Sequence, residues 1–519
     1  MDPIDMNATD LNCECLGLSR LCLMESAGKS LSDEISKIIT YKFSHPVKVA
    51  LFTGSGGNGG DCFVAARYLL NRGFTVEIYS LYTADNIKSK DAKANFDVLL
   101  SMVPRISRLS INYINDLSDF DDIEFHGEYV IVDGILGTGI KGKLRPKARK
   151  AIEIMNGVGN LKVAVDVPSG LDPLTGEVSD IAFMPDYTIT FHRIKTGVKI
   201  AGEDKVGNLV TCDIGIPMEA ELFVGYGDLI KINKRGSNSH KGLNGKVLIV
   251  GGSKDYSGAP AIAGMSAISS GADLVYVTCP ESASLAIKSM SPNLIVKGLN
   301  GDYLNMDNLD SILELSDEVD AVLLGPGATI NDETGKLFNV LVHKIKKPMV
   351  LDADALKLVD LSLIKNREDL IVTPHLFEFK SFFKSAIEQN SISGDNIKPL
   401  TEPLDYDLIN EQIETLQSIT KNIKGTVVLK GKYDLIIQGN RFKINKTGNP
   451  GMTVGGTGDA LSGISTSLLA QRLNSFDAGS LAVYLNGRAG DLAMNKQGYG
   501  FSATDIIQYL GALMANIIK

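Results

Sequence analysis

With 519 residues the chain exceeds what one hydrophobic core usually supports, so two large domains are expected. Hydrophobic residues make up 44% and charged residues 22%, with no long polar tract, which excludes a disordered chain. A net charge of -9 argues against a nucleic-acid surface and leaves small molecules as the expected partners.

The longest apolar runs, such as Lys246–Val250 and Asp320–Leu324, are strand-sized and fall far short of the ~20 residues of a membrane span. The first residues, Met1-Asp-Pro-Ile-Asp5, have neither the basic start nor the apolar run of a secretory signal, so a cytoplasmic protein is expected. Cys13, Cys15, Cys22, Cys62, Cys212 and Cys279 lack CxxC pairs with nearby histidines, and read as reduced structural thiols.

From Pro46 the pattern predicts a strand over Val47–Thr53, a glycine turn, a helix over Phe63–Asn71 and a strand over Thr75–Ser80. That is a βαβ unit, which implies a parallel sheet. Further strands are predicted at Tyr129–Asp133, Lys162–Val167 and Tyr187–Phe191, each stopping at the kind of turn where open α/β sheets bind ligands. The first turn, Gly54-Ser-Gly-Gly-Asn-Gly-Gly-Asp61, follows a strand and opens a helix, so its N–H groups suit a phosphate. A tight turn that needs only small residues fits it equally well. It lacks both the clean GxGxxG form and the Walker lysine, so neither a dehydrogenase nor an NTPase follows.

Val132-Asp133-Gly-Ile-Leu-Gly-Thr-Gly139 and Val165-Asp166-Val-Pro-Ser-Gly-Leu-Asp172 each place an aspartate at a strand end. If the three turns converge, Asn58, Asp133 and Ser169 offer oxygens to a hard cation, and Asp166 can serve as acid or base. Each aspartate is as readily a helix cap or a turn brace.

The pattern weakens over Gly215–Gly236 and Lys234–His240 reads as a polar junction, so the domains are expected to span residues 1–228 and 229–519. A second α/β series follows, with strands predicted at Val247–Val250, Leu274–Thr278, Ala321–Leu324, Pro348–Leu351, Leu370–Val372, Thr426–Leu429 and Asp434–Ile437, and a small-residue helix over Ala259–Gly271. Asn390–Asp407 reads as a surface loop. The halves do not read as copies of one repeat, because their glycine motifs differ.

The strongest signal is Asn449-Pro-Gly-Met-Thr-Val-Gly-Gly-Thr-Gly-Asp459-Ala-Leu-Ser-Gly463. Its glycines expose N–H groups at a helix N-terminus, an anion hole for phosphoryl oxygens, and Asp459 can take a proton from a hydroxyl there. A glycine hinge capped by Asp459 is the weaker alternative for so long a motif.

Together with Leu23-Met-Glu-Ser-Ala-Gly28, the N-terminal turns resemble the epimerase domain of the NAD(P)H-hydrate repair family over roughly residues 10–220. The resemblance implies a Rossmann-like three-layer domain in which Asn58, Asp133 and Ser169 bind potassium and Asp166 is catalytic at the reacting ring. It further implies that Gly57, Asn58, Gly59, Gly60 and Asp61 bind the hydrated nucleotide, with Gly137, Thr138, Gly139, Ile140, Lys141, Gly142 and Lys143. The family turn usually carries two asparagines, and Gly57 replaces the first, which implies weaker binding before lost catalysis.

The Asp459 motif is similar to that of the ribokinase-like superfamily, in which the matching aspartate activates a hydroxyl toward ATP. His240-Lys-Gly-Leu-Asn-Gly-Lys246, Gly251-Gly-Ser253, Ser257-Gly-Ala-Pro260, Gly325-Pro-Gly327, Asp352-Ala-Asp-Ala355 and Thr373-Pro-His375 resemble, in that order, the dehydratase domain of the same repair family. This implies a ribokinase-like α/β domain with Asp459 as the catalytic residue. Ala259, Gly327 and His375 would contact the hydrate, and Lys430, Gly431, Gly456, Thr457 and Gly458 the adenine nucleotide, ADP with Mg2+. Two departures stand out: Leu376-Phe377-Glu378 replaces Pro-Gly-Glu with loss of a tight turn, and Lys432-Tyr433 replaces small residues. The implied function is epimerisation of the R and S hydrates of NADH and NADPH, with dehydration of the S form at the expense of ADP. A ribokinase-like small-molecule kinase with an N-terminal nucleotide-binding module is the runner-up, and a non-catalytic N-terminal interaction domain the third reading. A homo-oligomer without nucleic-acid or membrane partners is expected.

Overall fold

The computed structural model describes all residues except 140–141, 391–396, 398–399, 401–403 and 519. The chain divides into two compact units, Met1–Glu221 and Leu222–Lys519. Residues 222–228, expected with the first domain, fall in the second, where the Val224 N–H donates to the Ile444 carbonyl at 2.9 Å.

The first unit holds strands β1 (Lys48–Thr53), β2 (Thr75–Ser80), β3 (Leu109–Tyr113), β4 (Tyr129–Gly134), β5 (Leu161–Val165), β6 (Tyr187–Phe191) and β7 (Asn208–Cys212). They form one sheet in the order β3-β2-β1-β4-β5-β6-β7, every pair parallel. Five of the six β1 residues and all of β4 are buried, as strands covered on both faces must be. Val49 and Leu51 pack with Phe63 and Phe96 from helices Gly57–Asn71 and Lys90–Met102, whereas Ala50 and Phe52 pack with Ile152 and Met155 from helix Pro146–Gly157. This makes the three layers. Gly28 lies where helix Arg20–Lys42 meets helix Gly57–Asn71, and a Cβ there would run into Val64. Its place in the sequence motif therefore has a packing reason.

The second unit holds β8 (Lys246–Val250), β9 (Leu274–Pro280), β10 (Ile295–Leu299), β11 (Ala321–Leu324), β12 (Met349–Leu351), β13 (Leu370–Val372), β14 (Thr426–Leu429), β15 (Asp434–Gln438) and β16 (Arg441–Asn445). The order is β10-β9-β8-β11-β12-β13-β14-β15-β16, with the last two strands antiparallel. Helices Gly258–Ser269, Thr457–Ala470 and Ser475–Gln497 cover one face, and Asp332–Lys344 and Tyr406–Thr420 the other. Four strands had no sequence prediction: β3, β7, β10 and β16, which are the four sheet edges. Within Asn390–Asp407 the expectation of a surface loop fails at two described positions. Ile397 and Leu400 are buried in the core beside Ile409, because the segment supplies apolar groups to that face. Among the described residues no helix is long and apolar enough to cross a membrane.

Helices Gly258–Ser269 and Thr457–Ala470 touch through Gly463, where an added Cβ would strike the Ala263 carbonyl and come within 2.6 Å of Ser266 Oγ. Gly463→Val is expected to destabilise the chain by about 1–3 kcal/mol, the usual cost of overpacking, read as a lowered denaturant midpoint.

Candidate functional site

In the first unit the sequence-selected turns follow β1, β4 and β5, and the strand order reverses between β1 and β4, the kind of place at which open α/β sheets bind ligands. Asp133 ends β4 fully buried. Its Oδ1 accepts from Ser169 Oγ at 2.7 Å and from the Ile135 N–H at 3.2 Å, and its Oδ2 accepts from the Ser169 N–H at 2.7 Å. Asn58 Nδ2 donates to the Val165 carbonyl at 2.6 Å and the Leu136 carbonyl at 3.3 Å. Asn58, Asp133 and Ser169 are thus brought together with two backbone carbonyls. Burial pushes the Asp133 carboxyl up to about 6 against the pull of the Ser169 and Ile135 hydrogen bonds, and among the described residues it has no ion-pair partner. A buried carboxylate beside a hydroxyl and carbonyl oxygens offers the oxygen ligands that a hard cation takes.

Gly57 opens the helix, and a Cβ there would meet nothing within 4 Å, so the asparagine usual in the family would stand in open space. Gly59 and Gly60 are buried, packed against Gly54 and Met24. Gly137 lies against the Asn58 side chain. Thr138 is half-buried, Gly139, Gly142 and Lys143 are exposed on the same loop, and Ile140 and Lys141 lie outside the described residues.

Asp166 takes a left-handed backbone, φ 62, directly after β5, a conformation uncommon for any residue but glycine. Its Oδ1 accepts from Thr190 Oγ1 at 2.9 Å and the Phe191 N–H at 3.2 Å, and pairs with the buried Lys195 ammonium. Burial first, and the Asp166 charge second, push Asp61 well above the usual carboxylate range. Asp10 is raised to about 6, again chiefly by burial, with Arg20 and Lys195 opposing.

The second site also gathers strand ends. Asp352 follows β12 and is 2% exposed; its Oδ1 accepts from Thr373 Oγ1 at 2.7 Å and Lys430 Nζ at 3.0 Å. Burial works against the Lys430 charge, but the Asp352 carboxylate outweighs it and holds the ammonium above its ordinary value. Gly456, in the left-handed region at φ 95, caps helix Thr457–Ala470, and Asp459 sits in the first turn. A Cβ on Gly458 would lie 3.6 Å from Lys430 Nζ, so the nucleotide residues expected from sequence converge on the helix start. Lys430, Gly431, Tyr433, Thr457 and Gly458 line a cavity of about 610 Å3. Burial, then the Asp352 charge, pushes the Asp459 carboxyl up to about 7, with Lys430 opposing and Asp354 adding.

Gly327 faces Ala259, their Cβ positions 3.4 Å apart. His375 bridges in parallel to Lys430 and caps helix Leu376–Phe382: its Nδ1 accepts from the Phe377 N–H at 3.2 Å and the Glu378 N–H at 3.3 Å, while its own N–H donates to Glu378 Oε2 at 3.0 Å. The retained glutamate closes this turn without the Pro-Gly pair. Among the described residues no three His, Cys, Asp or Glu side chains cluster to hold a metal.

Sequence reasoning assigned no role to Lys195 or Asp10, nor to Asp352 individually. Lys195 is one of 52 lysines and arginines and no local pattern marks it as buried. Asp352 was within a quoted motif, and its position after an apolar strand was the available signal.

A glycine-capped helix start carrying an aspartate, set beside the ends of a mainly parallel sheet, makes the second unit a ribokinase-like α/β domain, and the first is a Rossmann-like three-layer domain. Residues 247–511 match the family described as NAD(P)H-hydrate dehydratase, and residues 20–197 that described as YjeF-related protein N-terminus. The bifunctional NAD(P)H-hydrate repair enzyme Nnr of Methanothermobacter thermautotrophicus is 47% identical over 517 residues, 99% of this chain and 95% of that one. Its counterpart in Hyperthermus butylicus is 37% identical over 99% of this chain and 92% of its own. A crystal structure of ADP/ATP-dependent NAD(P)H-hydrate dehydratase from Bacillus subtilis, co-crystallised with ATP/Mg2+, is 21% identical, with a TM-score of 0.45, covering 57% of this chain and 99% of that one. The chain belongs to the family of bifunctional NAD(P)H-hydrate repair enzymes.

Lys430→Met leaves Asp352 buried without its cation. Because Lys430 is 22% exposed, the expected loss is about 3 kcal/mol, the lower end for one partner of a buried pair, measured by denaturation at constant pH.

Proposed function

We propose that this chain repairs hydrated NADH and NADPH: the first unit interconverts the R and S hydrates, and the second dehydrates the S form with ADP as phosphoryl donor, giving AMP and phosphate. The observation that carries the reading is the convergence of Asp459, Lys430 and Gly458 on one helix start beside a cavity. Asp459 takes the proton of the C6 hydroxyl as that oxygen attacks the terminal phosphorus and the bridging P–O bond breaks toward AMP. Phosphate then departs with the C6–O electron pair, a proton leaves C5, and the ring double bond is restored. Lys430 and the N–H groups of Thr457 and Gly458 receive phosphoryl oxygens, and Mg2+ when bound neutralises phosphate charge. Ala259, Gly327 and His375 hold the hydrate. In the first unit Asn58, Asp133 and Ser169 hold K+, the 57–61 and 137–143 turns hold the nucleotide, and Asp166 acts at the ring. The two activities divide between the first and the second unit, in a cytoplasmic homo-oligomer.

The test is incubation of the full chain with mixed R and S NADH hydrate, Mg2+, K+ and ADP, followed by absorbance at 340 nm and AMP release. Recovery of both epimers is expected; recovery of the S fraction alone removes the epimerase, and none with ADP or ATP overturns the reading. Asp459→Ala is expected to abolish dehydration and spare epimerisation, and Asp166→Ala to do the reverse. Loss of both activities in a folded single variant contradicts two separate centres.

If Asp459 is the base, it must be ionised, so dehydration kcat/KM rises with pH through about 7. Asp352→Asn removes a like charge and is expected to move that limb to lower pH, read from the same profile.

A further inference from the structure

Lys195 is 1% exposed and belongs to the loop after β6, yet its ammonium reaches back to the carboxylate that follows β5. It donates to the Phe191 carbonyl at 3.0 Å and lies 3.4 Å from Thr190 Oγ1, so three hydrogen-bonding groups fix it. Asp10, from the first helix Pro3–Cys15, and Asp61, from helix Gly57–Asn71, both feel the charges of Asp166 and Lys195. Three carboxyls from three elements thus share the field of one buried ammonium, which is paired with Asp166. Among the described residues Asp61 has no ion pair of its own, since Lys195 is committed to Asp166. His192, hydrogen-bonded to Glu221 at 3.0 Å, and Arg20 act on Asp10, and the Met1 amine senses Lys195.

We propose that Lys195 is a positioning residue for epimerisation that orients Asp166 as the proton acceptor, while Asp61 is the proton donor and Asp10 sets the charge of the group. The proposal rests on the reading of the first unit as an epimerase. Inversion at C6 balances as follows. Asp61 gives its proton to the C6 oxygen, and the C6–O bond breaks with its electron pair as water leaves. The N1 lone pair forms C6=N1. Water adds to the opposite face, the C6=N1 pair returns to N1, and Asp166 takes the proton from the added water. Each turnover moves one proton from Asp61 to Asp166, and the reverse turnover or exchange with solvent resets it. Burial keeps Asp61 in the form that can donate. The left-handed backbone at residue 166 and the ion pair with Lys195 keep the acceptor fixed.

The test uses the full chain, with initial rates of R-to-S conversion followed by chromatography across pH and without ADP. Lys195→Gln is expected to lower epimerisation kcat about 100-fold with KM nearly unchanged, and Lys195→Arg to recover to within about 10-fold of the parent. Loss of the buried ammonium moves the acid limb of the Lys195→Gln profile to higher pH, and Asp10→Asn, which removes an anion, moves it to lower pH. Dehydration of the S hydrate by the same samples, together with thermal melts, normalises for folded protein. If Lys195→Gln does not fold, the Asp10→Asn profile decides. Parent-like kcat and an unmoved profile in the folded variants overturn the proposal while leaving the epimerase reading intact, as does a loss confined to KM. Absence of epimerisation by the parent chain overturns both.

Discussion

A parallel sheet covered on both faces leaves one place for polar chemistry, the carboxyl ends of its strands, and a carboxylate sealed there must be given partners. Each aspartate buried at a strand end of this chain meets that demand in its own way. Asp133 is held by the Ser169 hydroxyl and two N–H groups, all neutral. Asp166 takes a buried ammonium, and Asp352 an ammonium and a threonine hydroxyl.

The same reasoning explains why Asp459 differs from its neighbours. It lies on a helix start and not on a strand end, and the nearest cation is already engaged by Asp352. Burial therefore acts on it with little opposition, and its carboxyl lies near neutrality. Asp352 has two effects on it that share a sign: it repels the Asp459 charge and it occupies Lys430.

The inner strands were legible from sequence because burial on both faces makes them continuous apolar runs; β1 and β11 are examples. All four edges escaped. Ile295–Leu299 alternates exposed and half-buried residues, and Leu109–Tyr113 does much the same, so neither gives an apolar run long enough to stand out. At the sites, residues inside glycine-rich turns were legible because turn geometry restricts composition. Lys195 was not, since its role comes from contact with a carboxylate 29 positions away, and neither was Asp10 on a helix of weak pattern. Ile397 and Leu400 were hidden by the polar residues around them.

Both units wind their first seven strands in the same relative order, but they take their central glycine motif from opposite ends of the chain. In the first unit it follows the first strand; in the second it comes after the last strand of the sheet. The helix that carries Asp459 closes against one made some two hundred residues earlier, as the Gln471 hydrogen bond to the Ser270 carbonyl, 201 positions back, records. On a ribosome the first unit can complete its crevice while the rest of the chain is still being synthesised. The second must keep an open sheet face waiting, with the apolar side of helix Gly258–Ser269 uncovered, until nearly the whole chain has emerged. The burden on chaperones during synthesis falls on the half that handles phosphoryl groups.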